Sequence, residues 1–322
     1  MKERMKMLIQ ECFSHLRGVF NQQQAFNITL GVLVIKWMEL IELYSPSSKL
    51  IIKSILDNNY LEARIRNFED DFPEFRGILS TLLSKSFTDK ENYIKEIYWM
   101  LGNEDIKTKE DFQELINLTV QLGIEERGFN ETPNSVAELV ASLHDLNNID
   151  SFADFCAGIS NTALEIFRQT KHHPYYYAEE INTTISLISR LLMIVNEVEN
   201  YEIVNKDIFS KEGNEEPKEF DLVLCDIPRI SRYDRRFNLN DPRFRYGTPG
   251  RRNPELAFIQ NILYHLNKRG KGIAIGSKGM LVRGFEKEIR AGIIMEDLIE
   301  CVITLPDNLY EGTNIGTEII IL

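Results

Sequence analysis

The residues able to do chemistry fall in short segments that each follow an apolar run. In the first, Asp154-Phe-Cys-Ala-Gly-Ile-Ser-Asn161, the side chains of Asp154, Cys156, Ser160 and Asn161 surround Gly158 just before a helical pattern. A glycine there lets backbone approach a ligand, and the helix that follows presents free N–H groups. With one glycine, the segment alone reads equally as an ordinary strand-to-helix turn. Glu180 follows a second β-rich run, about 20 residues on, where an acid can accept hydrogen bonds from ribose hydroxyls. Taken alone it is one of two solvated glutamates. Asp207, after a third run, faces an adenine amino group or caps a helix. Asp226-Ile227-Pro228-Arg229 follows the buried run Phe220 to Cys225, so Asp226 emerges at the edge of the site.

These segments need a scaffold, and the apolar pattern supplies one. Residues 1 to about 130 read as helical. Leu30, Val34, Trp37, Ile41 and Tyr44 mark one helical face, and Phe112, Leu115, Ile116, Thr119 and Leu122 mark another that Gly123 would stop. Beyond Gly128, β-rich runs alternate with helices: Ser151–Phe155, Tyr175–Ala178, Glu202–Val204, Asp221–Cys225, Gly272–Ile275, Leu298–Thr304 and Thr317–Leu322. A helix from Leu256 to Leu266 has Asn253 as N-cap and Pro254 at its first position. Such alternation predicts an α/β domain with a parallel, doubly wound sheet, and ligands then lie beyond the carboxyl ends of its strands. The last run reaches Leu322, which predicts further chain beyond it.

Composition narrows the classes. At 322 residues with 43% hydrophobic content, the chain supports two domains, expected at 1–130 and 131–322. No segment is apolar for the roughly 18 residues a membrane span requires, and no signal peptide is visible, so a cytoplasmic protein without a membrane partner is expected. Cys12, Cys156, Cys225 and Cys301 lack paired spacing and read as free thiols. His172 and His173 have no companion at ligand spacing, so no metal site is expected. The net charge of −12 excludes a protein that coats nucleic acid by overall charge. Yet residues 229–252 hold eight arginines against two acids, an island of +6 on a remainder of −18. That island reads as a local DNA footprint through Arg232, Arg235, Arg236, Arg243 and Arg245, or as a loop paired with the acidic body.

Taken in order, these segments resemble the modification subunits of type I restriction-modification systems, which are adenine-N6 DNA methyltransferases. Thr132-Pro133 resembles the family's entry to its first domain helix. Asp154 to Asn161 stands where the family has Asp-Pro-x-Cys-Gly-x-Gly-Gly. Glu180-Ile-Asn-Thr-Thr184 is similar to Glu-Ile-Asn-Pro-Thr, and Asp226 to Arg229 takes the place of Asn-Pro-Pro-Phe. The segments Asp241-Pro-Arg-Phe-Arg-Tyr-Gly247, Asn253-Pro-Glu-Leu-Ala-Phe258 and Leu305-Pro-Asp-Asn-Leu-Tyr310, with Gly312-Thr-Asn-Ile315, are the most specific matches.

The resemblance implies a Rossmann-like doubly wound seven-stranded methyltransferase sheet preceded by an all-helical domain. It implies S-adenosylmethionine as cofactor, held by Thr132, Pro133, Asp154, Cys156, Gly158, Ser160, Asn161, Glu180 and Asp207. It implies DNA, a specificity subunit, a second modification subunit and a restriction subunit as partners. Adenine N6 has its lone pair delocalised into the ring, so the base must be flipped out. The acceptors at Asp226 and the Ile227 carbonyl then draw density onto the nitrogen by pre-placed dipoles. Two departures matter. Ser160 and Asn161 replace glycines, with Asn able to take positive φ, which implies weak cofactor binding or none. Arg229 replaces the stacking ring with a cation, and a like charge at 4 Å costs roughly 4 kcal/mol at an effective dielectric of 20; Tyr233 and Phe237 are the nearby rings. Two readings follow: a methyltransferase subunit with weakened or lost catalysis, or an inactive DNA-binding or scaffolding subunit. A nicotinamide-dependent oxidoreductase is disfavoured by the segments Asp241 to Phe258 and Leu305 to Ile315.

Overall fold

The structure is a computed structural model, and it describes residues 1–57, 60–83, 91–102, 106–125, 131–210, 219–229, 233, 237–310 and 315–322. The chain divides into two compact units, Met1–Phe129 with Arg190–Glu197, and Asn130–Ser189 with Val198–Leu322.

The first unit carries helices α1 (Lys2–Leu16), α2 (Gln22–Glu39), α3 (Ser45–Asp57), α4 (Leu61–Asp71), α5 (Ile78–Leu82), α6 (Glu91–Gly102) and α7 (Lys109–Glu125). Asn21 starts α2 with a capping box, accepting from the Gln24 N–H while the Gln24 side chain accepts from the Asn21 N–H. From Ile28 to Met38 every residue of α2 is buried, so it is the central helix of this unit. The helix ends at Glu39; Ile41 and Tyr44 of the expected face lie beyond it, and Tyr44 instead joins Phe68, Phe72 and Phe75 in an aromatic cluster with centroids 5.1–6.2 Å from its ring. Gly123 does not stop α7. It lies inside the helix, where a Cβ would come 2.1 Å from Cδ2 of Phe26, so its role is close packing.

The second unit is built on one sheet: β1 (Ser151–Asp154), β2 (Tyr175–Glu180), β3 (Tyr201–Asn205), β4 (Phe220–Asp226), β5 (Leu266–Ser277), β6 (Cys301–Thr304) and β7 (Thr317–Ile321). Each arises from one of the expected runs. The order is β3-β2-β1-β4-β5-β7-β6. The first five strands pair in parallel, whereas β7 runs antiparallel to both β5 and β6, so the sheet is mixed rather than wholly parallel. Helices α8 (Asn134–Ser142), α9 (Asn161–Gln169), α10 (Thr183–Val195), α11 (Glu255–His265) and α12 (Lys287–Met295) complete the element order. The helix α11 starts at Glu255, after Pro254 as N-cap, and Asn253 takes a left-handed φ of +45° instead of the capping position expected for it. Both alternating faces of β1 and β4 are largely buried, as in strands covered on either side.

The strand order reverses between β1 and β4. Chains leaving those two carboxyl ends diverge, and the crevice between them is where an open α/β sheet binds ligands. Asp154 ends β1 and Asp226 ends β4.

The packing of Gly123 is testable in the first unit. Gly123→Ala is expected to lower the unfolding free energy by about 1–3 kcal/mol, because Phe26 is 2% exposed and has no room to retreat. Urea denaturation of the full chain measures this; an unchanged midpoint would show that the ring moves freely.

Candidate functional site

The turn after β1 is held by carboxylates. Asp154 is buried and accepts from the Cys156 N–H at 3.1 Å. Gly158 has φ +53°, a conformation that favours glycine, and its N–H donates to Oε2 of Glu180 at 3.0 Å. The other Glu180 oxygen accepts from the Asn182 N–H at 2.7 Å. Glu131 lies over the same turn: it accepts from the Ile159 N–H at 3.3 Å, and a Cβ at Gly158 would sit 2.3 Å from its Oε2. The left-handed residue at the helix start is Ser160 at φ +63°, whereas Asn161 is the first residue of α9. The Ser160 hydroxyl is buried between those of Tyr176 and Ser189, so it points away from the turn. Asn161 donates to the Thr132 carbonyl at 2.9 Å and to Asn134 at 2.8 Å. Pro133 is the N-cap of α8.

Asp226 is the hub. Its Oδ2 accepts from the Thr132 hydroxyl and from the Tyr310 hydroxyl, each at 2.8 Å. Its Oδ1 faces Nη2 of Arg229 at 3.5 Å. The Arg229 guanidinium also lies 3.6 Å from the centroid of the Tyr310 ring, and its side chain is 6% exposed. Its Nε is buried without a hydrogen-bond partner among the described residues. The Ile227 N–H extends the β4 ladder, donating to the Ile275 carbonyl at 2.9 Å, and the Ile227 side chain is in the core; Pro228 is partly exposed. Burial raises the Asp226 carboxyl above its usual value, while Arg229, Thr132 and Tyr310 act to lower it. The cation expected to oppose chemistry is therefore neutralised on the carboxylate beside it.

Two participants were given no role from sequence. Sequence places Tyr310 only within the segment Leu305 to Tyr310, and Glu131 immediately before Thr132. The thiols of Cys156 and Cys225 meet behind the acids, and both are raised: Cys156 chiefly by its hydrogen bond to Cys225, Cys225 chiefly by burial.

Other expected residues are tied elsewhere. Asp207 accepts from the Phe209 N–H at 3.0 Å and from the Tyr233 hydroxyl at 2.8 Å, and Phe237 stacks on Tyr233 with centroids 4.7 Å apart. Arg243 binds both oxygens of Asp241, the Ile208 carbonyl and Asn261 through its guanidinium. Arg245 is 62% exposed and paired with Glu296. Arg232, Arg235 and Arg236 lie outside the described residues. No helix among the described residues is long and apolar enough to cross a membrane.

Burial pushes the Asp154 carboxyl up to about 7, against the Cys156 N–H and with help from the negative charges of Asp226, Glu180 and Glu131. The folded chain thus keeps a proton that the unfolded chain releases near the ordinary value of 3.8. The resulting stabilisation is complete below that value and is lost as pH rises through about 7. The thermal midpoint should fall more between about pH 5 and about pH 8 for the native chain than for Asp154→Asn, which has no proton to lose. Parallel profiles would show that Asp154 is ionised throughout.

The family model for N-6 DNA Methylase matches residues 118–322. Among curated proteins, the methylase subunit of the type I restriction enzyme MpnII from Mycoplasma pneumoniae is 24% identical over 323 residues, covering 84% of this chain. The chain spans 60% of that subunit's length. Among solved structures, the methyltransferase subunit of a type I restriction-modification system from Streptococcus thermophilus superposes with a TM-score of 0.83 at 18% identity, covering 99% of this chain and 84% of that one. A chain from a study of complex assembly in a type I R-M system gives a TM-score of 0.67 at 14% identity, covering 99% and 74%. At such identities these structures establish the fold. The sequence match reaches well over half of the residues and includes every strand of the sheet, and the chain belongs to the N-6 DNA methylase family.

Proposed function

We propose that the chain is the methyl-transferring part of a type I modification subunit, carrying a methyl group from S-adenosylmethionine to adenine N6 in DNA. The observation that carries this reading is Asp226 at the reversal point of the sheet. It has an acceptor oxygen, a neighbouring backbone carbonyl at Ile227 and the Tyr310 ring alongside. Asp226 and that carbonyl take the two amino hydrogens of a flipped adenine. Tyr310 offers the stacking face that position 229 lacks, an interaction worth about 1–3 kcal/mol per base.

The residues present fit the cofactor. Gly158 adds no side chain of its own to the turn, the Glu131 carboxylate lies over it, and Asp154 and Glu180 converge there. Such an acidic turn suits a ligand with sulfonium and ammonium cations, and Glu180 has the chemistry to accept from ribose hydroxyls. When bound, S-adenosylmethionine supplies an electrophilic methyl group. Ser160 turns its hydroxyl into the core, so its substitution for glycine adds no side chain over the turn. The hydrogen bonds already made by Glu131 and Glu180 must be shared with the ligand, which supports reduced rather than absent affinity.

Two relatives, a methylase subunit of a type I restriction enzyme and a chain from a study of complex assembly in a type I R-M system, support work within a complex. The partners we propose are a specificity subunit, a second modification subunit and a restriction subunit in the cytoplasm, with DNA approached through the basic segment that holds Arg245. A second reading is a non-catalytic subunit of such a complex, and the observation favouring it is Arg229 seated on Asp226.

Calorimetry separates the readings. S-adenosylmethionine should bind the native chain saturably at one site, and Glu180→Ala should weaken binding at least about tenfold, since a lost charged hydrogen bond is worth about 1.5–3 kcal/mol. Absence of binding at millimolar ligand by a folded chain would overturn the transferase reading and leave the non-catalytic one.

A further inference from the structure

Arg229 lies where the target base would have to go. The guanidinium is planar, rests 3.6 Å from the Tyr310 centroid and points an N–H group at Oδ1 of Asp226. A flipped adenine needs the same two contacts: an aromatic face and a side-chain oxygen acceptor for its exocyclic amino group. The side chain is 6% exposed, so no room is left for a second planar group in that place.

The fit is nevertheless incomplete. The contact to Asp226 is 3.5 Å, at the outer limit of a hydrogen bond, and Nε has no hydrogen-bond partner among the described residues. A guanidinium in its final role usually has its fork satisfied. Asp226 does not depend on this cation alone, because Thr132 and Tyr310 both donate to its other oxygen. Arg229 is also the first residue of the basic segment 229–252. Turned outward, its charge would meet the phosphates of a bound duplex, which replace the carboxylate it leaves.

We infer that Arg229 is a displaceable plug: in the free protein its guanidinium fills the target-base pocket between Asp226 and Tyr310, and a base enters only as that side chain turns out. The inference rests on the reading of Asp226 and Tyr310 as the base pocket. It makes base entry and DNA engagement one event, since the polyanion stabilises the open position.

Equilibrium dialysis with labelled adenosine tests this on the full chain, in the presence of S-adenosylhomocysteine to cover the cofactor's own adenosine site. Arg229→Ala should bind adenosine at least about tenfold more tightly than the native chain. Adding Tyr310→Ala should cancel the gain. Arg229→Asn, with a shorter neutral head, serves should the alanine variant fail to fold, and thermal melting checks each protein. Equal binding by the native chain and the Arg229 variants, weakened in both by Tyr310→Ala, would overturn the plug and leave the pocket intact. Binding indifferent to Tyr310 would overturn the pocket as well. No binding by any folded variant at millimolar nucleoside would also overturn the plug.

Discussion

Asp226 ends a central strand with its carboxylate largely removed from water, and its surroundings follow from the cost of leaving such a group unpaired. Three donors answer that cost: a hydroxyl from the segment before α8, a hydroxyl from the loop after β6, and a guanidinium from its own turn. Those donors bring together parts of the chain that the sheet alone does not join. Thr132 is 94 residues from Asp226 and Tyr310 is 84 residues from it. The carboxylate thereby fixes the geometry of the crevice where the strand order reverses.

The turn after β1 obeys the same constraint with the signs exchanged. Its N–H groups lack partners at the start of α9 and recruit the carboxylates of Glu180 and Glu131. Asp154 then has acids on every side, and burial keeps its proton on. The result is an acidic pocket beside a buried guanidinium. On the proposed reading, the first part suits a cationic methyl donor, and a neutral base competes with the cation for the second. On that reading, turnover depends on how readily Arg229 yields that place.

The sheet was legible because its strands are short apolar runs between helical patterns, and each run became a strand. Direction was not legible. The run from Thr317 to Ile321 pairs antiparallel, and a fully buried strand has the same apolar pattern in either orientation. Gly123 misled for a related reason: a glycine that ends a helix and one that admits Phe26 look alike until the neighbouring helix is placed. The places of Asp154, Glu180 and Asp226 at strand ends, and of Gly158 in the turn after β1, were legible from the runs they follow. Glu131 and Tyr310 were not, since their roles come from proximity across long separations. Arg243 shows the limit of charge counting. It stands in a basic run, yet its guanidinium is spent on Asp241, Asn261 and a backbone carbonyl.

The central claim is that Asp226 is the acceptor through which a methyl transfer site acts. The most direct measurement is transfer of label from S-adenosylmethionine to mixed-sequence duplex DNA, with the chain mixed with the proposed specificity subunit. Asp226→Asn keeps a side-chain oxygen acceptor and should retain transfer. Asp226→Ala should lose it by about a hundredfold or more, the scale of one pre-placed hydrogen-bonding group at a reacting centre. Transfer by Asp226→Ala equal to that of the native chain would contradict the account.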